Sequence, residues 1–346
     1  MRSPRTLISL AILLLCPMPL VLGAPQSQKA NELESTKEFS HLVEALRGFF
    51  ADARAQESTG DARARVQAAL EELGKEQAIS DPLKEVELLG AAVWNAQEHR
   101  FKEIRPGKIV ELNEPGGSFG KAGLDFALRL PRDFEGKGER HPLILTLPEA
   151  DQTPAAHLRA AWTNQDVLQT AILVCPAMPD DTKAWDQTMV QGKPGGLSHL
   201  FTVLRLVSER FPIDPNRVFV VGRGAGVPAA FAAGKYSPHL FAGIVGIAGE
   251  PKNVGPENFR SLPSAFFGGG AEAKAFHEKS LTMGYDRNTL EVSAGEDVIW
   301  NWIQNQEREP HPEKIALHTG EAVIFNPSSN RAYWLRLAPI DTGAFA

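Results

Sequence analysis

The chain has 346 residues, 43% of them hydrophobic and 23% charged, with a formal net charge of −6. That length allows one large domain with a smaller appendage, and the acidic balance gives no electrostatic footing for nucleic acid. Of two cysteines, Cys16 and Cys175, the first lies in a segment expected to be removed, so an internal disulfide is excluded.

Residues 1–24 read as a secretory signal peptide. Arg2 and Arg5 form a short positive region, the apolar run Leu7 to Leu15 follows, and Leu22-Gly23-Ala24 offers small residues for cleavage. The run is too short to span a bilayer comfortably, and Pro17 and Pro19 break a helix early, which disfavours a retained anchor. The expectation is a secreted or periplasmic protein with no transmembrane segment after cleavage. Losing two arginines and no acidic residue takes the formal charge to −8. Cys175 ends the apolar run Ala171 to Val174 and reads as a buried, inert thiol.

Residues 25–100 read as a helical segment. Leu42, Ala45, Leu46 and Phe49 recur at helical spacing, as do Val66, Ala69, Leu70 and Leu73. Ser80-Asp81-Pro82 marks a helix start, and the helix that follows is expected to place Val86, Leu89, Val93 and Trp94 on one side. Three helices with an apolar face form either a structural cap or a partner-docking element.

From Phe101 the pattern changes. Ile109 to Leu112 and Leu124 to Leu130 alternate as half-buried strands do. Short apolar runs follow at Leu143 to Leu147, Ala171 to Val174, Val218 to Val221, Ile244 to Ile247 and Ala265 to Phe267, with helical segments such as Leu197 to Phe211 and Pro228 to Gly234 between them. Strands buried on both faces and alternating with helices predict a doubly wound, mostly parallel α/β sheet over residues 101–312. Residues 313–346 read as a small β appendage, with strands at Lys314 to His318, Ala322 to Phe325 and Arg331 to Leu337.

The strand Val218 to Val221 runs into Gly222-Arg223-Gly224-Ala225-Gly226 and then a helix beginning near Pro228. Strand, tight glycine turn and helix form the setting of a nucleophile elbow, where small residues at 222 and 226 allow close approach and the central residue is lifted out of the sheet. An active elbow carries serine, cysteine or aspartate there. Gly224 offers no nucleophile.

With Ile213-Asp214-Pro215-Asn216-Arg217-Val218 before the elbow and Ser237-Pro238-His239-Leu240-Phe241-Ala242-Gly243 after its helix, residues 101–337 resemble α/β-hydrolases of the esterase, polyhydroxybutyrate-depolymerase-like and prolyl-oligopeptidase-like kind. The C-terminal Asn330-Arg331-Ala332-Tyr333-Trp334-Leu335 looks like a tail of some secreted bacterial members. The resemblance implies an α/β-hydrolase fold and a serine, an acid, a histidine and an oxyanion loop at set places. The chain departs at each. Pro148-Glu149-Ala150-Asp151 stands where the oxyanion loop belongs; proline has no N–H to donate, and carboxylates repel a developing oxyanion. Only Glu272 lies near the acid's place. Glu296 and Asp297 stand where the histidine belongs, and a carboxylate there does not take a hydroxyl proton as imidazole does.

Competing motifs are weak. A dinucleotide fingerprint needs a small residue at 227, where Val227 stands. His277-Glu278 and His311 are isolated and His199 and His239 read as near-surface residues, so no metal site and no cofactor are expected. Asp180-Asp181 reads as a solvated acidic pair, Ser198 as a helix-start residue and Ser293 as a serine without a base. Trp162, Trp185, Trp300 and Trp302 fall near the ligand-binding edge of such a sheet, core packing being expected for at least half. The backbone N–H groups at Ala225, aided by Arg223, would favour an anion. The leading expectation is a catalytically inactive hydrolase-fold protein that binds an unidentified small molecule or protein. The alternatives are an active ester or peptide hydrolase with a non-standard residue set, and a structural cell-envelope protein.

Overall fold

The computed structural model describes residues 33–54, 59–77, 79, 81–97, 104–116, 120–135, 140–149, 152–177, 185–318 and 331–336. The expected signal peptide, Asp180-Asp181, Ala150, Asp151 and the strand expected at Ala322 to Phe325 lie outside them. Contacts divide the chain into two compact units, one holding the residues up to Phe101 with Arg205–Phe211, the other Lys102–Leu204 and Pro212 onward. None of the described helices is long and apolar enough to cross a membrane.

The first unit contains α1 (Lys37–Arg54), α2 (Gly60–Glu76) and α3 (Val86–Ala96). Leu42, Leu46 and Phe49 of α1 and Val66, Ala69, Leu70 and Leu73 of α2 are buried together, as their spacing requires. The Asp81 carboxylate accepts the Leu83 N–H at 3.2 Å and caps a short 3₁₀ turn, Pro82–Lys84, so α3 itself begins at Val86. Its buried stripe is Leu88, Ala91, Ala92 and Ala96, with Leu89 and Val93 only partly covered. Relative to the stripe expected at Leu89, Val93 and Trp94, the buried face is therefore rotated; the side chain of Val86 lies outside the described residues. Small residues face the core because alanine lets a helix approach its neighbour closely, and the bulkier Val93 and Trp94 lie toward the margin.

The second unit is built on an eight-stranded sheet. Its elements in chain order are β1 (Ile109–Gly116), β2 (Gly120–Arg129), β3 (His141–Leu147), α4 (Pro154–Ala161), α5 (Gln165–Thr170), β4 (Ile172–Pro176), a short hairpin β5 (Met189–Val190) and β6 (Lys193–Pro194), α6 (Gly196–Arg210, counted with this unit as far as Leu204), β7 (Ile213–Arg223), α7 (Val227–Tyr236), β8 (Gly243–Ile247), β9 (Ser264–Phe267), α8 (Ala271–Thr282), β10 (Asn288–Glu291) and α9 (Glu296–Gln304). The strand order is β1-β2-β4-β3-β7-β8-β9-β10. Pairing is antiparallel at β1–β2 and β2–β4 and parallel from β4 through to β10. This is the doubly wound, mostly parallel architecture that the alternating runs predict.

Every residue of β3, β4 and β8 is buried, because helices cover both faces. On one face Ile144, Leu173, Cys175, Val221, Val245 and Phe267 pack with Leu158, Trp162, Val167, Ile299 and Trp300 from α4, α5, α9 and the segment after α4. On the other, Phe231 of α7 stacks on Phe266 of β9 at 4.3 Å between ring centroids, and Phe276 of α8 meets it edge-on at 5.3 Å. Strand β2 alternates only at Leu124, Asp125 and Phe126; from there to Leu130 it is continuously buried, since β1 and β4 flank it. Cys175 is fully buried, and desolvation pushes its thiol well above its ordinary range.

Of the strands expected after residue 312, the first is not formed. Lys314 to His318 form no strand, being fastened instead by the side chains of Ser261, which donates to Lys314 O at 3.0 Å, and Asn258, which donates to His318 O at 3.1 Å. The described strands there are β11 (Arg331–Ala332) and β12 (Leu335–Arg336), a two-residue pairing. Tyr333, at their turn, is buried and lies edge-on to the ring of His239 at 6.5 Å. His239 is thus not a surface residue: its Nδ1 is buried, and desolvation with Arg331 and Arg308 nearby pushes its pKa down to about 3.

Candidate functional site

Parallel pairing sets the site. Leu147 is opposite Gly222, Arg223 opposite Ile247, Ile247 opposite Phe267 and Phe267 opposite Glu291, so five strands end along one edge. The segments that follow them form one rim, where ligands bind in open α/β sheets.

At its centre β7 turns through the 3₁₀ segment Gly224–Gly226 into α7. A Cβ at Gly222 would lie 2.5 Å from the Gly226 carbonyl oxygen and 2.6 Å from the Val227 Cα, so the strand and helix can meet only over glycine. Gly224 has φ +48°, the left-handed region in which a side chain is strained. The elbow backbone is therefore present, although residue 224 has no side chain to present.

A side chain at 224 would come into close contact with Glu149. Its Cγ lies 3.1 Å from the position of a Cβ on Gly224, and its Cδ 3.6 Å. Glu149 is exposed, and Pro148 before it is buried directly after β3. Gly222, Gly224, Ala225, Gly226, Pro148 and Glu149 thus fall together.

Arg223 turns away from the open side of the elbow. Its Nη2 donates to the Ala161 carbonyl at 2.8 Å, and its guanidinium carbon lies 5.7 Å from the centroid of the Trp162 ring. Burial pulls its pKa below the usual range, and the carboxylates of Glu296 and Glu149 act against that shift. The nearby carboxylates of Glu296 and Glu149 partly offset the charge that an anion at the Ala225 amide would meet.

Glu296 and Asp297 open α9, and both reach the segment between α4 and α5. The Glu296 carboxylate accepts the Thr163 N–H at 2.9 Å, the Thr163 hydroxyl at 2.8 Å and the Asn164 N–H at 2.8 Å. The Asn164 side-chain amide donates to Asp297. Asn164 Oδ1 in turn accepts from Asp166 N and Val167 N and caps α5. Glu272 lies exposed on the first turn of α8 with no hydrogen bond or ion pair among the described residues. The carboxylate that reaches that turn is Glu250, after β8, which accepts the Ala273 N–H at 2.7 Å.

Sequence reasoning missed His157, which is buried on α4. Its Nδ1 lies 3.1 Å from Gln152 Oε1 and its Nε2 2.7 Å from Thr146 Oγ1. These partners place the proton on Nδ1 and let Nε2 accept from the hydroxyl. Desolvation, with Arg223 adding to it, pushes the pKa down to about 4. The available signal was Thr146, a hydroxyl within a run of buried apolar residues that must find a partner. The tryptophans are structural in the main. Trp162, Trp185 and Trp300 are buried, and the partly covered Trp302 donates its indole N–H to Thr289 Oγ1 at 3.3 Å. Ser198 donates to Thr188 O, and Ser293 is exposed. Among the described residues no cluster of His, Cys, Asp and Glu is disposed to hold a metal ion.

An antiparallel second strand, the order β2-β4-β3-β7 and a strand–turn–helix elbow at the end of β7 define the α/β-hydrolase type of fold. No family model and no curated protein sequence matches the chain. Solved structures similar in fold include a thermostable esterase, 16% identical with TM-score 0.48 over 58% of this chain and 63% of that one. An S-formylglutathione hydrolase from Staphylococcus aureus is 13% identical with TM-score 0.43, covering 57% of this chain and 97% of that one. A ferulic acid esterase from Anaeromyces mucronatus, in complex with ferulic acid, is 13% identical with TM-score 0.45, covering 60% and 93%.

Two outcomes follow. In the unfolded chain His157 titrates near 6.5, in the fold near 4, so below pH 6.5 the unfolded state binds the proton first and stability falls until about pH 4. The slope is about 1.4 kcal/mol per pH unit within that window. Urea unfolding of wild type and His157→Gln at pH 7, 6 and 5 should show a difference that narrows as pH falls; a constant difference would show that His157 is not held neutral. Gly224→Ser should lower stability by about 1–2 kcal/mol through its left-handed backbone. Adding Glu149→Ala should restore only a minor steric part of it, and a Gly224→Ser protein as stable as wild type would refute the strained elbow.

Proposed function

We propose that this chain is a hydrolase-fold protein without hydrolytic chemistry, acting by binding a small molecule or protein at the rim where the strands end. The carrying observation is Glu149 lying against the vacant side-chain position of Gly224. A nucleophile is absent at the turn, and a carboxylate stands beside the place where negative charge would develop in acyl transfer. Three further features support the reading. Glu296 and Asp297 are engaged by Thr163 and Asn164. The one histidine described near the elbow, His157, is buried with both ring nitrogens engaged. Pro148 has no N–H to contribute to an oxyanion hole. The surroundings of Arg223 favour a neutral or cationic ligand over an anion.

Incubation with nitrophenyl acetate and butyrate should release nitrophenol no faster than buffer does. A fluorophosphonate probe should leave the protein unlabelled, and Gly224→Ser should gain no turnover because no base faces it among the described residues. Labelling of any serine in the wild-type protein would overturn the reading.

We further propose that the protein is exported, on the order of charges, apolar run and small residues in residues 1–24. Expression in a bacterium with a periplasm and N-terminal sequencing should find the mature chain starting just after Ala24; retention of Met1 in the cytoplasm would refute export.

A further inference from the structure

We propose that the segment Ala161–Asn164 is a strap over the elbow, latched by Glu296, which opens as a unit to uncover Trp162 and the Arg223 guanidinium. The inference does not depend on whether the elbow turns over substrate.

The strap connects α4 to α5 and is fastened from two directions. From α9, the single carboxylate of Glu296 receives the Thr163 N–H, the Thr163 hydroxyl and the Asn164 N–H, at 2.8 to 2.9 Å. From the elbow, Arg223 donates to the Ala161 carbonyl at 2.8 Å and lies over the Trp162 ring. Hydrogen bonds to a charged acceptor are stronger than neutral ones, so removing the Glu296 carboxylate releases three of these fastenings together and leaves from α9 the bond of the Asn164 side-chain amide to Asp297. Thr163 itself is exposed and Asn164 half-buried, so the latch lies at the surface and not in the core.

The closed strap also carries an opposing tendency. Trp162 is 2% exposed, and neither its indole N–H nor the Nε–H of Arg223 has an acceptor among the described residues. Two donors withdrawn from water without partners destabilise the closed form, and opening would hydrate both. Burial of the Trp162 ring and the Glu296 bonds favour closure. An element favoured and opposed by localised terms of this kind is a two-state element, and a ligand offering an oxygen acceptor to the uncovered donors would shift it toward the open state.

The test is amide hydrogen exchange on the full chain, comparing wild type, Glu296→Ala and Glu296→Gln. In Glu296→Ala the amides of residues 163–168 should exchange at least about tenfold faster, with those of β3 and β7 unchanged. Glu296→Gln keeps one acceptor oxygen and should show a smaller acceleration, at least about threefold, which carries the comparison should the alanine variant not fold. With 5-fluorotryptophan incorporated, the Trp162 resonance, assigned by its loss in Trp162→Phe, should move or broaden in the Glu296 variants. Unchanged exchange at 163–168, acceleration spread equally over β3 and β7, or a fixed Trp162 resonance would each overturn the strap.

Discussion

Strand β7 and helix α7 meet more closely than a side chain permits. A Cβ on Gly222 would lie 2.5 to 2.6 Å from the backbone of Gly226 and Val227. This contact compels the sharp turn between them, holds Gly224 in the left-handed region and points α7 back along the sheet. The rest of the rim is arranged around that turn. Because β3, β8 and β9 pair in parallel from it outward, Pro148-Glu149 and the turns after β8 and β9 arrive on the same edge.

A fold of this type can keep its architecture when the chemistry at the turn changes, because the forces holding the elbow are not those that would operate it. Close backbone approach and buried strands need only small and apolar residues. A triad needs particular polar groups aimed at one point. Here several polar groups on the rim bind neighbouring segments. Glu296 and Asp297 hold the α4–α5 segment, Glu250 satisfies an amide on the first turn of α8, and Arg223 bonds to a carbonyl of α4. Glu296, Glu250 and Arg223 satisfy backbone groups that a helix end or a loop would otherwise leave unmet, and Asp297 holds the Asn164 side-chain amide. The rim is braced by its carboxylates, and Glu149 stands close to the side-chain position that Gly224 leaves empty.

The buried histidines follow the same logic. His157 and His239 sit in places where a charged imidazole would be poorly solvated, so both titrate below the usual range. Neutral imidazole is a compact donor and acceptor, and at position 157 it links Thr146 of β3 with Gln152 before α4. Such a bridge ties β3 to the start of α4 beneath the elbow.

Much of the fold was legible in local sequence because it depends on local physics. Continuous apolar runs can be satisfied only in a sheet covered on both faces. The glycines at 222, 224 and 226 after such a run admit few backbones other than a tight strand-to-helix turn, and the lack of a nucleophile at 224 is a matter of composition. Tertiary structure decided the rest. Which small residues α3 buries depends on how closely it lies against α1, so Ala91, Ala92 and Ala96 displaced the larger residues that periodicity favoured. That Glu149 comes close to Gly224 depends on β3 pairing beside β7. That Glu296 binds Thr163, 133 positions away, depends on α9 and α4 covering the same face of the sheet. Residue types along a strand state what the turn can and cannot do; only the pairing of distant segments states what stands in its place.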